Sequence, residues 1–209
     1  MLEKDRATLK EASPYNGVLS REQFLFFETR TVAQLMSEGL DKTEIVDRIV
    51  RENLFQYPTE KSVAQMARTC IYRLEALEDV GLIEAIATQP SAVTKQICLY
   101  AMMRRYRLVW DFMITVIGEK YKTLDMTLRK SDINGFFSRL QEQDDWVATW
   151  SESTVNRIKQ VLRRTLVETE YLDDVQSELL NPVLISTILE SAIRKQGLDI
   201  ALPAFNCLT

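Results

Sequence analysis

The sequence predicts an all-α protein. Apolar residues recur at spacings of three and four throughout, nothing alternates with period two for long, and the 209 residues include only 6 Gly and 5 Pro. Such a length supplies one large or two small cores. In chain order, residues 1–19 read as an N-terminal arm that ends in the turn Ser13-Pro14-Tyr15-Asn16-Gly17. Ser20 with Gln23 makes a capping box for a first helix to about Glu38. That helix turns Phe24, Phe27, Val32 (or Thr31), Leu35 and Met36 inward, and Gly39 ends it in the left-handed conformation. Asp41 with Glu44 caps a second helix, with Ile45, Ile49 and Val50 inward. The stretch from Asn53 to Thr59 is a break, sharpened by Pro58.

A third helix follows to about Glu78, with Val63, Met66, Ala67, Cys70, Leu74 and Leu77 on its apolar stripe, and Gly81 closes the unit. Pro90-Ser91 marks a boundary, and a long helix from about Ala92 to Tyr121, interrupted near Gly118, comes next. Asp132 caps a short helix from Ile133 to Gln143, and Trp146 and Trp150 bracket another short turn or helix. Ser151 or Ser153 caps a helix from about Thr154 to Thr169, with Val155, Ile158, Val161, Leu162 and Leu166 inward. Asn181-Pro182 reads as the cap and first position of a last helix that stops at Gly197. The expected domains are thus 1–19 (arm), 20–89 (a helix-turn-helix-like unit), 90–130 (a long central helix) and 131–209 (a second such unit, with or without a wing).

Net charge is -4 and the pI is about 5.1, which argues against a general polyanion coat but leaves room for local basic faces. Two stretches free of acids supply them: Ala85 to Trp110, with Lys95, Arg104, Arg105 and Arg107, and Ser153 to Val167, with Arg157, Lys159, Arg163 and Arg164. Arg104, Arg105 and Arg107 cannot share one helical face, so at least one is expected to pair internally, with Asp111 or Glu119. The chain has no histidine, no cysteine pair at metal spacing and no glycine-rich loop, so neither an enzyme nor a metal or cofactor protein is expected. Cys70, Cys98 and Cys207 read as free thiols of a reducing cytoplasm. The charged start argues against a signal peptide, and the greasy stretch around Leu108 to Gly118 is too short for a bilayer span.

The candidate sites are two helical faces. On the second basic helix Ser153, Asn156, Arg157, Gln160 and Arg164 lie opposite the apolar stripe, with Arg163 on the flank. Arg forks onto phosphate or guanine, Asn and Gln pair with adenine, and a helix N-terminus holds a phosphate. On the first unit's third helix the corresponding face is Lys61, Gln65, Arg68 and Tyr72. Capped helices of this kind, set behind a shorter helix and a turn, are what helix-turn-helix proteins lay on duplex DNA.

The pattern resembles the BrxA family, the small helical component of bacteriophage-exclusion (BREX) systems. The resemblance is carried by Glu28-Thr29-Arg30, Arg51-Glu52-Asn53-Leu54-Phe55-Gln56, Arg73-Leu74-Glu75-Ala76-Leu77, Trp110-Asp111-Phe112-Met113, Phe136-Phe137 and Val147 to Thr154 leading into Arg157-Ile158. It implies two helix-turn-helix-like units, a cytoplasmic role in phage defence, and binding of double-stranded DNA without catalysis or cofactor. Other BREX proteins are implied partners. The family's likeness to the NusB fold of an RNA-binding antitermination factor keeps RNA open as a ligand. Family members have carried membrane-protein labels, with which the hydropathy of this chain disagrees. The chain departs from the pattern at two places. It lacks a His-Pro pair near Asp144-Asp145, and Glu170-Tyr171-Leu172 stands where a Gly-Leu ending is expected. A protein–protein adaptor is the rival function, favoured by the net acidity and by the acids flanking the basic helix.

Overall fold

Short polar side chains that satisfy the first free N–H groups set six of the twelve α-helix starts among the described residues. In the computed structural model, which describes residues 3–208, the chain runs through α1 (Glu3–Ala12), a 3-10 turn (Gly17–Ser20), α2 (Phe26–Ser37), α3 (Lys42–Glu52), α4 (Glu60–Glu75), α5 (Val80–Thr88) and α6 (Ser91–Arg105). It continues through α7 (Arg107–Phe112), a π-helical segment (Met113–Gly118), α8 (Glu119–Lys122), α9 (Lys130–Gln143), α10 (Asp145–Ala148), α11 (Glu152–Glu168), α12 (Thr187–Lys195) and a closing 3-10 segment (Asp199–Phe205). No strand occurs among the described residues, although Thr127 and Leu179 form an isolated antiparallel bridge. The all-α expectation therefore holds.

Several predicted signals operate as read. The Asp41 carboxylate accepts from the backbone N–H groups of Thr43 and Glu44, and Glu44 reaches back to the N–H of Asp41. Ser151 caps α11 by accepting from Thr154 N. Gly39 and Gly197 both take positive φ just past a helix end. Other signals fail for identifiable reasons. Ser20 is spent inside the 3-10 turn, where its hydroxyl donates to the Gly17 carbonyl at 2.7 Å. The helix starts instead at Phe26, after Leu25 in a left-handed conformation. That kink takes Phe24 out of register with Phe27, so Phe24 is buried while Phe27 is 60% exposed. Asp132 is the third residue of its helix, not its cap, and accepts from Arg129 N. Asn181 ties the chain to the Glu170 carbonyl and the Asp173 carboxylate, and Ser186 is the true cap of α12. Gly81 lies within α5, a helix the sequence reading missed.

The chain divides into two compact units that alternate along the sequence. A terminal unit comprises Met1–Gln23, Tyr106–Ile185 and Gly197–Thr209, and an inserted unit comprises Phe24–Arg105 and Ser186–Gln196. This differs from the linear division expected. The predicted long helix is broken at Tyr106, whose φ of -120° and ψ of 110° are extended. The Tyr106 hydroxyl donates to the buried Glu22 carboxylate, a long-range tie that no local pattern announces.

In the inserted unit α2 packs on α4 and α5, α3 packs on α4, and α6 and α12 complete the core. The predicted α4 stripe is buried at Val63, Ala67, Cys70 and Leu74, with Leu77 just beyond it, while Met66 is half-buried. Arg73, unexpected in a core, is 1% exposed and donates to the Phe24 carbonyl at 2.8 Å. That bond fixes the chain just ahead of α2.

In the terminal unit the π-helical segment packs on the closing 3-10 segment, α9 packs on α10, and α11 packs on the 3-10 turn. Residues 3–12 form a helix where an arm was expected, although residues 1 and 2 of that reading lie outside the described residues. The segment after it is held by hydrogen bonds from Ser13 to Asp144 and from Tyr15 to Asp111, each 2.8 Å. All five apolar side chains of the predicted α11 stripe are buried. Their burial stabilises by roughly 10 kcal/mol before conformational entropy is counted. This face is what holds the opposite, polar face of α11 in place.

Candidate nucleic-acid interface

The polar face of α11 borders a cleft of about 750 Å³ in the terminal unit. From α11 the cleft is lined by Ser153, Asn156, Arg157, Gln160, Val161 and Arg164, and from the segment after the 3-10 turn by Ser20, Arg21 and Gln23. Nothing acidic and nothing aromatic lines it. Among the described residues no protein group pairs with the guanidinium of Arg21, Arg157 or Arg164. The hydroxyls of Ser153 and Thr154 both lie 2.9 Å from that of Ser151, which gathers three hydroxyls at the α11 N-terminus. Three free guanidinium groups beside three amides and a helix start are suited to phosphate oxygens.

The structure thus brings Ser153, Asn156, Arg157, Gln160 and Arg164 together at one site. It removes Arg163. The Arg163 guanidinium donates to the backbone carbonyls of Val175 and Ser177, and its Nη1 is buried. The helix period places it on the flank, and the loop beyond α11 claims it. Lys159 is also engaged, donating to Asn134 at 2.9 Å and lying 5.3 Å from the centre of the Phe137 ring. Sequence reasoning missed Arg21, Gln23 and Ser20. Ser20 and Gln23 carried a capping signal that concealed them, and the packing of the 3-10 turn, whose Leu19 is buried, on α11 brings them to the site.

The second face, on α4, is less uniform. Lys61, Gln65, Arg68 and Tyr72 are all exposed and follow one side of the helix. Arg68 and Tyr72 line a groove of about 190 Å³ with Lys42, Thr43, Val46, Asp47 and Ile71, whereas Lys61 and Gln65 lie outside it. Charge is compensated here, since Lys42 pairs with Glu75 at 2.6 Å and Asp47 lines the groove. Arg105 lies over the Tyr72 ring, 5.5 Å from its centre. The neighbouring basic residues are spent internally: Arg104 on Glu78, and Arg107 on Asp111, one of the two acids expected.

Cys70 and Cys98 are buried and form no disulfide, and burial pushes the Cys98 thiol well up. Among the described residues no cluster of three potential metal ligands occurs, and no helix is long and apolar enough to cross a membrane.

Fold and cleft define a class: an all-α protein of two interleaved units that presents a cationic cleft on a long capped helix. The BrxA family model matches residues 13–197, and the chain belongs to the BrxA family. Three relatives carry the name BREX protein BrxA. The protein of Bacillus cereus (strain H3081.97) is 32% identical over 178 residues, covering 84% of this chain and 88% of that one. That of Paramagnetospirillum magneticum is 23% identical over 81% and 85% of the two chains, and that of Escherichia coli O9:H4 is 22% identical over 90% and 88%. A crystal structure of an uncharacterized protein from Magnetospirillum magneticum shares the fold, with a TM-score of 0.79 at 21% identity over 92% of this chain and 98% of that one.

Proposed function

We propose that this protein is a non-enzymatic, double-stranded DNA-binding component of a bacterial BREX phage-defence system, acting in the cytoplasm. The cleft beside α11 carries the reading, because its arginines have no protein partner among the described residues and no acid lines the cleft with them. An ordinary exposed helix mixes charges and satisfies them along its own face. The α4 face, reached after α3 and a turn, offers a weaker second contact through Lys61, Gln65, Arg68 and Tyr72. Binding goes mainly to phosphates and carries little sequence preference.

Fluorescence anisotropy with a labelled duplex, titrated at several salt concentrations, tests this. If three arginines each neutralise one phosphate, the log–log slope is about -2.7, and affinity falls roughly forty-fold between about 50 and 200 mM salt. Arg157→Glu with Arg164→Glu lowers affinity by at least about a hundred-fold at low salt, by loss of contacts and by repulsion. Absence of wild-type binding at low salt refutes the proposal. A protein adaptor for other BREX components then leads, favoured by the net charge of -4. Competition by structured RNA in the same assay separates an RNA ligand.

A further inference from the structure

The lining of the cleft says how the nucleic acid sits. Helix-turn-helix proteins push a convex helix into the major groove. Here the polar face of α11 is answered by a second polar segment, so a ligand enters between them. Ser153 to Arg164 spans about 16 Å at 1.5 Å per residue, and Arg157 and Arg164 are about 10 Å apart along the axis. Because a B-form strand winds around its axis as it rises about 3.4 Å per nucleotide, its phosphates are farther apart than that rise, and those two arginines are spaced for phosphates about one to two steps apart on one strand. Aromatic side chains, the platforms on which unpaired bases stack, are absent from the lining.

We infer that the cleft is a backbone clamp: it holds one phosphodiester strand of a DNA duplex between Arg157 and Arg164 on α11 and Arg21 with Gln23 on the segment after the 3-10 turn. Asn156 and Gln160 then face the sugar-phosphate edge and not the bases. The inference rests on the DNA-binding reading and adds to it a wall, Arg21, and a mode of grip. It also gives the 3-10 turn a purpose, since Leu19 is buried where the turn packs on α11 and sets Arg21 beside the helix.

The test is Arg21→Glu in the full chain, read by duplex anisotropy across salt, beside Lys130→Glu. Lys130 is an exposed cation of the same unit outside the cleft, so its reversal reports charge alone. Circular dichroism and thermal melting verify that both variants fold. Arg21→Glu is expected to weaken binding about ten-fold or more and to reduce the size of the salt slope by about one, the loss of one phosphate contact. Lys130→Glu is expected to change affinity less than about three-fold. In the Arg157→Glu/Arg164→Glu background Arg21→Glu adds little, because both walls grip one strand. Should Arg21→Glu match Lys130→Glu while the wild type still binds, the clamp is wrong and DNA binding stands. Should the wild type bind no duplex, the parent reading falls with it.

Discussion

Arg163 and Arg164 are neighbours with opposite fates. Arg164 lines the open cleft, while Arg163 is folded against the carbonyls of Val175 and Ser177 and pins the loop after α11. One hundred degrees of helical rotation decides which cation is free for a ligand. A few residues on, Glu170 adopts φ 68° where the family pattern leads one to expect glycine. Its Cβ makes that conformation costly, and the turn persists because Tyr171 N and Leu172 N both donate to the Leu166 carbonyl. Glu170→Gly is therefore expected to stabilise the fold by roughly 0.5–1 kcal/mol, read as a higher urea midpoint with unchanged slope. Tyr171 and Leu172, both buried, keep the turn docked in either variant.

Among the elements, the π-helical segment is closely constrained at Gly118. A Cβ on Gly118 would stand 3.2 Å from Ala204 N and 3.4 Å from both Met113 O and Pro203 C, all backbone atoms. Since backbone cannot give way as a flexible side chain can, Gly118→Ala is expected to cost about 2 kcal/mol, measurable by thermal melting. The sequence shows an interruption near Gly118 but not its cause, because the partner lies 86 residues on in the chain, at Ala204. The same division runs through the fold. The caps at Asp41 and Ser151 and the stripes of α4 and α11 were legible, since each is written within a few neighbouring residues. Long-range partners hid the rest. Tyr106 breaks its helix to reach Glu22, and Asn181 serves a turn 11 residues earlier. The α11 half of the cleft could be read from helical spacing. The half supplied by Arg21 could not, because a short 3-10 turn has no apolar period to reveal its outward side.

At the scale of the whole molecule, the two units share the chain in alternation, and small ties close each one. In the inserted unit Gln196 accepts from Tyr100 Oη at 2.7 Å and from Arg104 Nη1 at 2.8 Å, and donates to the Leu77 carbonyl at 2.8 Å. Gln196→Ala removes all three bonds while Arg104 keeps its pairing with Glu78, and is expected to destabilise that unit by about 2 kcal/mol in chemical denaturation. The alternation also sets an order of events during synthesis. The ribosome delivers Arg21 early, but α11 is translated only after the whole of 24–105, and α12 and the closing 3-10 segment follow it. At about 5–20 residues per second, the nascent chain spends several seconds or more with apolar faces uncovered. The inserted unit cannot complete its core before α12 is made, nor the terminal unit before the closing 3-10 segment. The two walls of the cation-lined cleft are thus made far apart in time, so a nascent chain that has not yet reached Arg164 carries Arg21 without a place to hold a nucleic-acid strand.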